Sequence, residues 1–238
     1  QEYHFKCLFA ILKALGYEWA GNCFHLSYGM VYLPEGKMKS REGKIVDADD
    51  LITAMLTLGE AEIRRRDPEI GLSDEDVKNR AEKIGVGAIK FYLLRVRPTL
   101  SINFDPAESI SFDGFTGPYC QYAYARICGI LEKEKNSQRK RQNPGFSFLG
   151  NSEEVQLLQK LIGYTREVKS AVADINPSKI AVHIVNTAKA FNQVYNKHPV
   201  LKAESEELIN ARLALIKAAA VVLKNGLNLL GVEVLENM

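Results

Sequence analysis

This chain is poor in the features that would commit it to a membrane, a metal or an oxidising compartment. No apolar run approaches the roughly 20 residues that cross a bilayer as a helix, so no membrane contact is expected. Its four cysteines, Cys7, Cys23, Cys120 and Cys128, include no C-x-x-C pair, which argues against a zinc site, and no metal ligand set is expected. On a shared helix Cys120 and Cys128 would lie about 12 Å apart along the axis, too far for a disulfide. Free thiols and a cytoplasmic setting are therefore expected. The opening stretch QEYHFKCLFAILKALGY has neither the cationic leader nor the small-residue cleavage site of a secretory signal. Cations exceed anions by only two, 31 against 29. Nothing global draws this chain to a polyanion, so any nucleic-acid contact must come from local patches. The first residue is not methionine and already belongs to an amphipathic pattern, which leads us to expect a piece of a longer protein.

What is present is an ordinary globular composition, 46% apolar and 25% charged over 238 residues, enough for one large domain or two modest ones. Phe5, Leu8, Phe9, Leu12 and Leu15 form a helical apolar stripe that ends at Gly16. Ala20–Leu33 is rich in aromatic and β-branched residues and predicts one or two buried strands. Asp47 is the expected N-cap of a helix over Ala48–Arg66, which Asp67-Pro68 stops. Ser73, with Asp76 three residues on, opens another helix expected to run to about Arg97, before Pro98. Thr99–Phe112 reads as an irregular linker with one short extended piece.

From Pro118 onward the pattern is helical almost throughout. Thr116-Gly117-Pro118 starts a helix reaching about Lys135. Ser152 is the expected cap of the next, and Asn176-Pro177 supplies the cap and first turn of Ser178–Asn196, which His198-Pro199 ends. The last long helix is expected over Glu204–Lys224, broken by Asn225-Gly226. Short connections between such helices imply a bundle. Lys133–Arg141 holds five cations against one carboxylate, Glu134. It reads either as a solvated, mobile connection or as a basic finger toward RNA.

One loop stands apart. Gly29–Gly43 (GMVYLPEGKMKSREG) sets Lys37, Lys39 and Arg41 on alternate positions between Gly36 and Gly43. Cations on a glycine-hinged loop suit a movable clamp on a polyphosphate, because charge is best stabilised by donors that close over it. Taken alone, the same pattern also fits a solvated basic turn.

The segment Phe112–Arg126 (FDGFTGPYCQYAYAR) resembles the junction of arginyl-tRNA synthetases, typically (F/D)-x-G-x-T-G-P-Y-x-Q-Y-x-x-A-R. Gly114, Thr116, Gly117, Pro118, Tyr119, Gln121, Tyr122, Ala125 and Arg126 match in register. Lys189–Asn196 (KAFNQVYN) and Leu223–Met238 (LKNGLNLLGVEVLENM) resemble two signature segments of that family's helical anticodon-binding domain. Lys37–Arg41 (KMKSR) is similar to the class I K-M-S-K-S signature. The resemblance runs in order along essentially the whole chain.

It implies a mainly α fold: the end of a Rossmann-like α/β catalytic domain, then an α-helical bundle. Residues 1–105 would be the catalytic part, with the signature loop at 34–46 and a helical segment contacting the tRNA stem. Residues 106–238 would be the anticodon-binding (DALR-type) domain. The activity implied is joining arginine to its tRNA with ATP and Mg²⁺ through an arginyl-adenylate, in a monomer. Lys37 and Lys39 would contact the polyphosphate, Met38 would pack, and Ser40 and Arg41 would shape the loop or donate to phosphate. The adenine ring would lie against Gly29, Met30 and Val31, with His25 close by. Tyr119, Gln121, Tyr122, Tyr124, Arg126, Phe191, Asn192 and Tyr195 would face tRNA, with Met238 near the anticodon loop. Single-stranded bases are read by stacking and edge hydrogen bonds, which is what rings with Asn, Gln and Arg beside them provide. The same rings also fit plain bundle packing.

The chain departs from the family pattern in several places. Ser40 stands where the second signature lysine does, Lys39 where serine is usual, and no H-I-G-H-like segment occurs. The chain alone is therefore expected to be catalytically incomplete. Phe115, Cys120 and Tyr124 replace the commoner asparagine, aliphatic and histidine. Two other readings stay open: a helical module binding RNA or a protein partner without catalysis, and a different class I synthetase.

Overall fold

Local signals place most helix starts. In the computed structural model, which describes residues 1–33, 47–66, 71–136 and 145–238, the Asp47 carboxylate accepts the Asp49 N–H at 3.2 Å and opens α2, Ala48–Arg66. The Ser73 hydroxyl accepts the Asp76 N–H and opens α3, Asp74–Leu94. Three short pieces flank this helical pair: α1 (Glu2–Ala14), a 3₁₀ turn (Glu18–Asn22) and a two-residue strand β1 (Val31–Tyr32). Strand β1 pairs in parallel with β2 (Ile102–Asn103), Val31 opposite Ile102. The short helix α4 (Pro106–Ser109), capped by Asp105, follows.

The bundle then begins. Thr116 caps α5 (Gly117–Lys135), its hydroxyl accepting the Tyr119 N–H while Pro118 sits in the first turn. A 3₁₀ turn (Phe146–Phe148) precedes α6 (Ser152–Ala173). Next come α7 (Ser178–Lys197) and α8 (Glu206–Leu229). The Asn176 carboxamide oxygen accepts both the Ser178 N–H and the Ser178 hydroxyl at the start of α7. Ser205 caps α8. Mainly helical architecture is what the resemblance implied.

Four local expectations need correction. Ala20–Leu33 holds the 3₁₀ turn and only the two-residue β1, because the rest of the run meets no strand partner among the described residues. Helix α3 ends at Leu94, short of Arg97, with the Arg95 N–H closing on Phe91 O. The residue before α6 that closes its first turn is Asn151, not Ser152: Glu154 reaches back to the Asn151 N–H at 3.0 Å. Asn225-Gly226 does not break α8. A Cβ on Gly226 would lie 2.1 Å from Ile184 Cδ1, so this glycine lets α8 approach α7. The helix ends instead at Leu229, and the turn that closes it uses Gly231, whose φ of +68° favours glycine. There the Val232 N–H bonds Leu227 O and the Gly231 N–H bonds Asn228 O, a Schellman closure.

Two apolar cores result. The larger lies within the bundle and includes Phe191, Ile184, Leu215, Ile216, Leu223 and Leu227, all at most 1% exposed. Burying each such side chain contributes about 1.5–3 kcal/mol before entropy is counted. The smaller joins α2 and α3 to Phe104, Ile110, Phe112 and Leu235. The segment after α8 spans both cores: Leu230 and Val232 enter the first, Leu235 and Met238 the second. One buried ion pair crosses the bundle, Arg212 Nε to Glu154 Oε1 at 2.6 Å, with Arg212 also donating to Pro199 O. All four cysteines are free. Among the described residues no helix is long and apolar enough to cross a membrane.

Candidate nucleic-acid interface

Residues at i, i+3 and i+7 share a helix face, and α5 presents Tyr119, Tyr122 and Arg126 in that pattern. Helix α7 brings Asn192 and Tyr195 opposite. The Arg126 guanidinium lies 4.6 Å from the Tyr122 ring centre and 4.7 Å from that of Tyr195, so it is held between two rings. It also donates to Asn192 Oδ1 at 2.9 Å, and Asn192 Nδ2 donates to the Tyr119 hydroxyl at 3.0 Å. Burial pushes the Tyr119 phenol above its ordinary pKa, so it stays a neutral hydroxyl. Tyr195 is 41% exposed, and its ring is accessible from solvent. Met238 completes the arrangement.

Two clefts share Tyr122 and Met238 as a common wall. One, about 320 Å³, is lined by Arg126, Ile130, Lys133 and Tyr195 beside that wall. The other, about 310 Å³, lies toward α2 and α3 and is lined by Ile63, Arg66, Arg80, Ile84 and Phe112. The Arg66 guanidinium sits 4.2 Å from the Phe112 ring centre and bonds Glu62, which also holds Arg65. Hydrogen bonds from Arg65 and Arg66 bring the Glu62 carboxyl down to about 2, so it stays ionised. Rings with guanidinium groups beside them and apolar floors suit unstacked bases with their phosphates near by.

The structure thus brings together Tyr119, Tyr122, Arg126, Asn192, Tyr195 and Met238. Three residues grouped with them from sequence lie elsewhere. Phe191 is fully buried in the bundle core. Tyr124 is buried too, and burial pushes its phenol up to about 12. Gln121 is 0% exposed, with both hydrogen bonds of its amide nitrogen made to backbone carbonyls. Conversely, Arg80, Ile84 and Phe112 reach the second cleft without having been singled out from sequence. The signal available was Ile63/Arg66 and Arg80/Ile84, each pair on one helix face three or four residues apart.

At the other end, Gly29 runs against the 98–103 segment. Its N–H donates to Pro98 O at 2.7 Å, and a Cβ there would meet Leu100 O at 2.1 Å, so only glycine fits. Met30 O accepts the Ile102 N–H, and Val31 pairs with Ile102. His25 stacks on Phe5, ring centres 4.2 Å apart. Lys37, Met38, Lys39, Ser40 and Arg41 fall outside the described residues.

Comparison with known proteins finds two family models matching successive parts of the chain. Residues 1–105 match the family model "tRNA synthetases class I (R), catalytic domain", and residues 120–238 match "DALR anticodon binding domain". The arginine–tRNA ligase of Treponema denticola is 43% identical over 244 residues, covering all of this chain and 41% of that protein. That of Parabacteroides distasonis is 41% identical, again over the whole chain and 40% of the relative. The solved arginyl-tRNA synthetase of Thermus thermophilus superposes with a TM-score of 0.85 at 30% identity, over 97% of this chain and 38% of that one. The chain therefore spans about two fifths of the length of the relatives it matches. With two consecutive family domains, in order, and whole-chain likeness to named ligases, this chain belongs to the arginyl-tRNA synthetase family.

Proposed function

We propose that this chain is the RNA-reading part of an arginine–tRNA ligase. Residues 106–238 act as its anticodon-binding domain and residues 1–105 as the end of its catalytic domain. The observation that carries the reading is Arg126 between Tyr122 and Tyr195, tied through Asn192 to Tyr119 and walled by Met238. A base unstacked from the anticodon loop finds ring faces to stack on and donors for its edges. Phosphates next to it meet Lys133 and, across the second cleft, Arg66 and Arg80.

The whole enzyme, working in the cytoplasm as a monomer, joins arginine to its tRNA with ATP. Arginine's carboxylate attacks the α-phosphorus, pyrophosphate leaves, and the activated arginine passes to the tRNA. Positioned cations serve such a step better than proton transfer does, which is the part we assign to Lys37 and Lys39. To Met38 we assign packing and to Ser40 and Arg41 loop shaping or donation to phosphate, while Gly29–Val31 with His25 flanks the adenine. For Mg²⁺, no three carboxylate, histidine or cysteine side chains among the described residues cluster in a way that holds an ion.

The test is Tyr195→Ala in the full-length enzyme, read by tRNA binding and by ATP binding. Loss of one stacking ring is expected to weaken tRNA binding by about 1–3 kcal/mol and to leave ATP affinity unchanged. Equal tRNA affinity of variant and parent would return Tyr195 to a packing role.

A further inference from the structure

Gln121 presents its side chain to the protein interior, away from the solvent-facing rings of its own helix. Its Nε2 donates to two backbone carbonyls at once, Lys83 O on α3 at 3.1 Å and Glu233 O on the segment after α8 at 2.7 Å. Two acceptors facing one nitrogen also fix which end of the amide points there, since the reversed amide would set oxygen against oxygen. Space for this is made by Gly87: a Cβ there would lie 3.0 Å from Gln121 Nε2 and 3.1 Å from Val232 Cγ1.

Residues 231–238 have no helix or strand of their own, so their backbone is held from outside. Three polar ties pin them to α3 and α5: the Gln121 amide, Lys90 Nζ on Gly231 O at 2.9 Å, and Lys83 on the Glu233 carboxylate at 3.4 Å. The last two sit at the surface, where solvent competes and each tie contributes little. Gln121 is the tie made by a fully buried side chain, and stranding a polar group away from solvent costs more than an exposed ion pair gains. Beyond it, Leu235 drops into the smaller core and Met238 comes to rest between the two clefts.

We propose that Gln121 is a positioning residue for RNA recognition. It touches no RNA itself, and fixes the 231–238 segment so that Met238 forms the wall both clefts share. This inference rests on the anticodon-reading function assigned above to those clefts.

The test is made in the full-length enzyme with Gln121→Met, which keeps side-chain length but removes the donor, and Gln121→Leu, which removes both polar atoms of the amide. Methyl-¹³C methionine spectra report Met238, its signal identified by Met238→Leu; aminoacylation kinetics report KM for tRNA and kcat separately. Both variants are expected to move the Met238 methyl toward its position in an unstructured peptide. The KM for tRNA is expected to rise about tenfold, the equivalent of one buried hydrogen bond, with kcat little changed. Should Gln121→Met fail to fold, Gln121→Asn, which keeps an amide one methylene shorter and so cannot reach both carbonyls, takes its place with the same expected outcome. An unmoved Met238 methyl in the Gln121 variants overturns the proposal. So does a freed Met238 with unchanged KM for tRNA, provided Tyr195→Ala still weakens tRNA binding. If Tyr195→Ala is also silent, it is the anticodon-reading function that falls.

Discussion

Helix α1 and helix α7 carry comparably regular apolar stripes, yet they end in opposite circumstances. Helix α7 buries ten residues, from Ile180 to Val194, against α5, α6 and α8. Helix α1 buries none. Tyr3 is 74% exposed, Leu15 68% and, after the 3₁₀ turn, Tyr28 86%. Periodicity makes a helix amphipathic, but a facing surface makes it buried. The bundle supplies that surface from its own sequence. The opening segment does not, and the chain spans only about two fifths of its relatives' length.

The contrast can be broken by mutation. Phe191→Ala is expected to destabilise the bundle by about 3–5 kcal/mol, whereas Leu15→Ala stays within about 0.5 kcal/mol. Urea denaturation measures both, and a comparable loss at Leu15 would mean that α1 is packed after all. Gly226→Ala is expected to cost about 1–3 kcal/mol by driving a methyl group into the buried Ile184 side chain. A Cβ at Gly21 meets nothing within 4 Å, so Gly21→Ala is the matched control.

A smaller effect concerns acid. Burial alone would raise the Glu154 pKa, but the Arg212 hydrogen bond, with those from Asn151, outweighs it and lowers the value. A carboxylate lowered on folding contributes stability above its unfolded pKa, about 4.3 for glutamate, and loses it as pH falls through the folded value. The bundle's unfolding midpoint is therefore expected to drop below about pH 4 and to lose that part of its slope in the double variant Glu154→Gln/Arg212→Met. An unchanged slope would remove Glu154 from the account.

These differences explain what was legible in the sequence. Helix starts at Asp47, Ser73, Thr116 and Asn176 were readable because a cap and its recipient N–H lie within three residues. The family signature was readable for the same reason: Gly117, Pro118, Tyr119, Gln121 and Tyr122 sit on one turn and a half of helix. Long-range geometry was not. Gly226 looks like a helix stop until Ile184, forty-two positions earlier, is seen against it. Gln121 looks like an RNA-facing amide until the backbone carbonyl of Glu233, 112 positions away, accepts its N–H. Met238, by contrast, was named from likeness alone, and the fold carries it to the cleft wall. The second cleft was hidden because α2, α3, Phe112 and Met238 contribute to it separately. The cationic loop at Lys37–Arg41 rests on sequence alone.

The most direct measurement is a titration of the full-length enzyme with arginine tRNA and with the same tRNA carrying a replaced anticodon loop, at low and moderate salt. The account predicts clear preference for the native loop at both salt concentrations, because stacking on Tyr122 and Tyr195 is not screened as phosphate contacts are. Equal affinity for the two RNAs, falling together as salt rises, would contradict it.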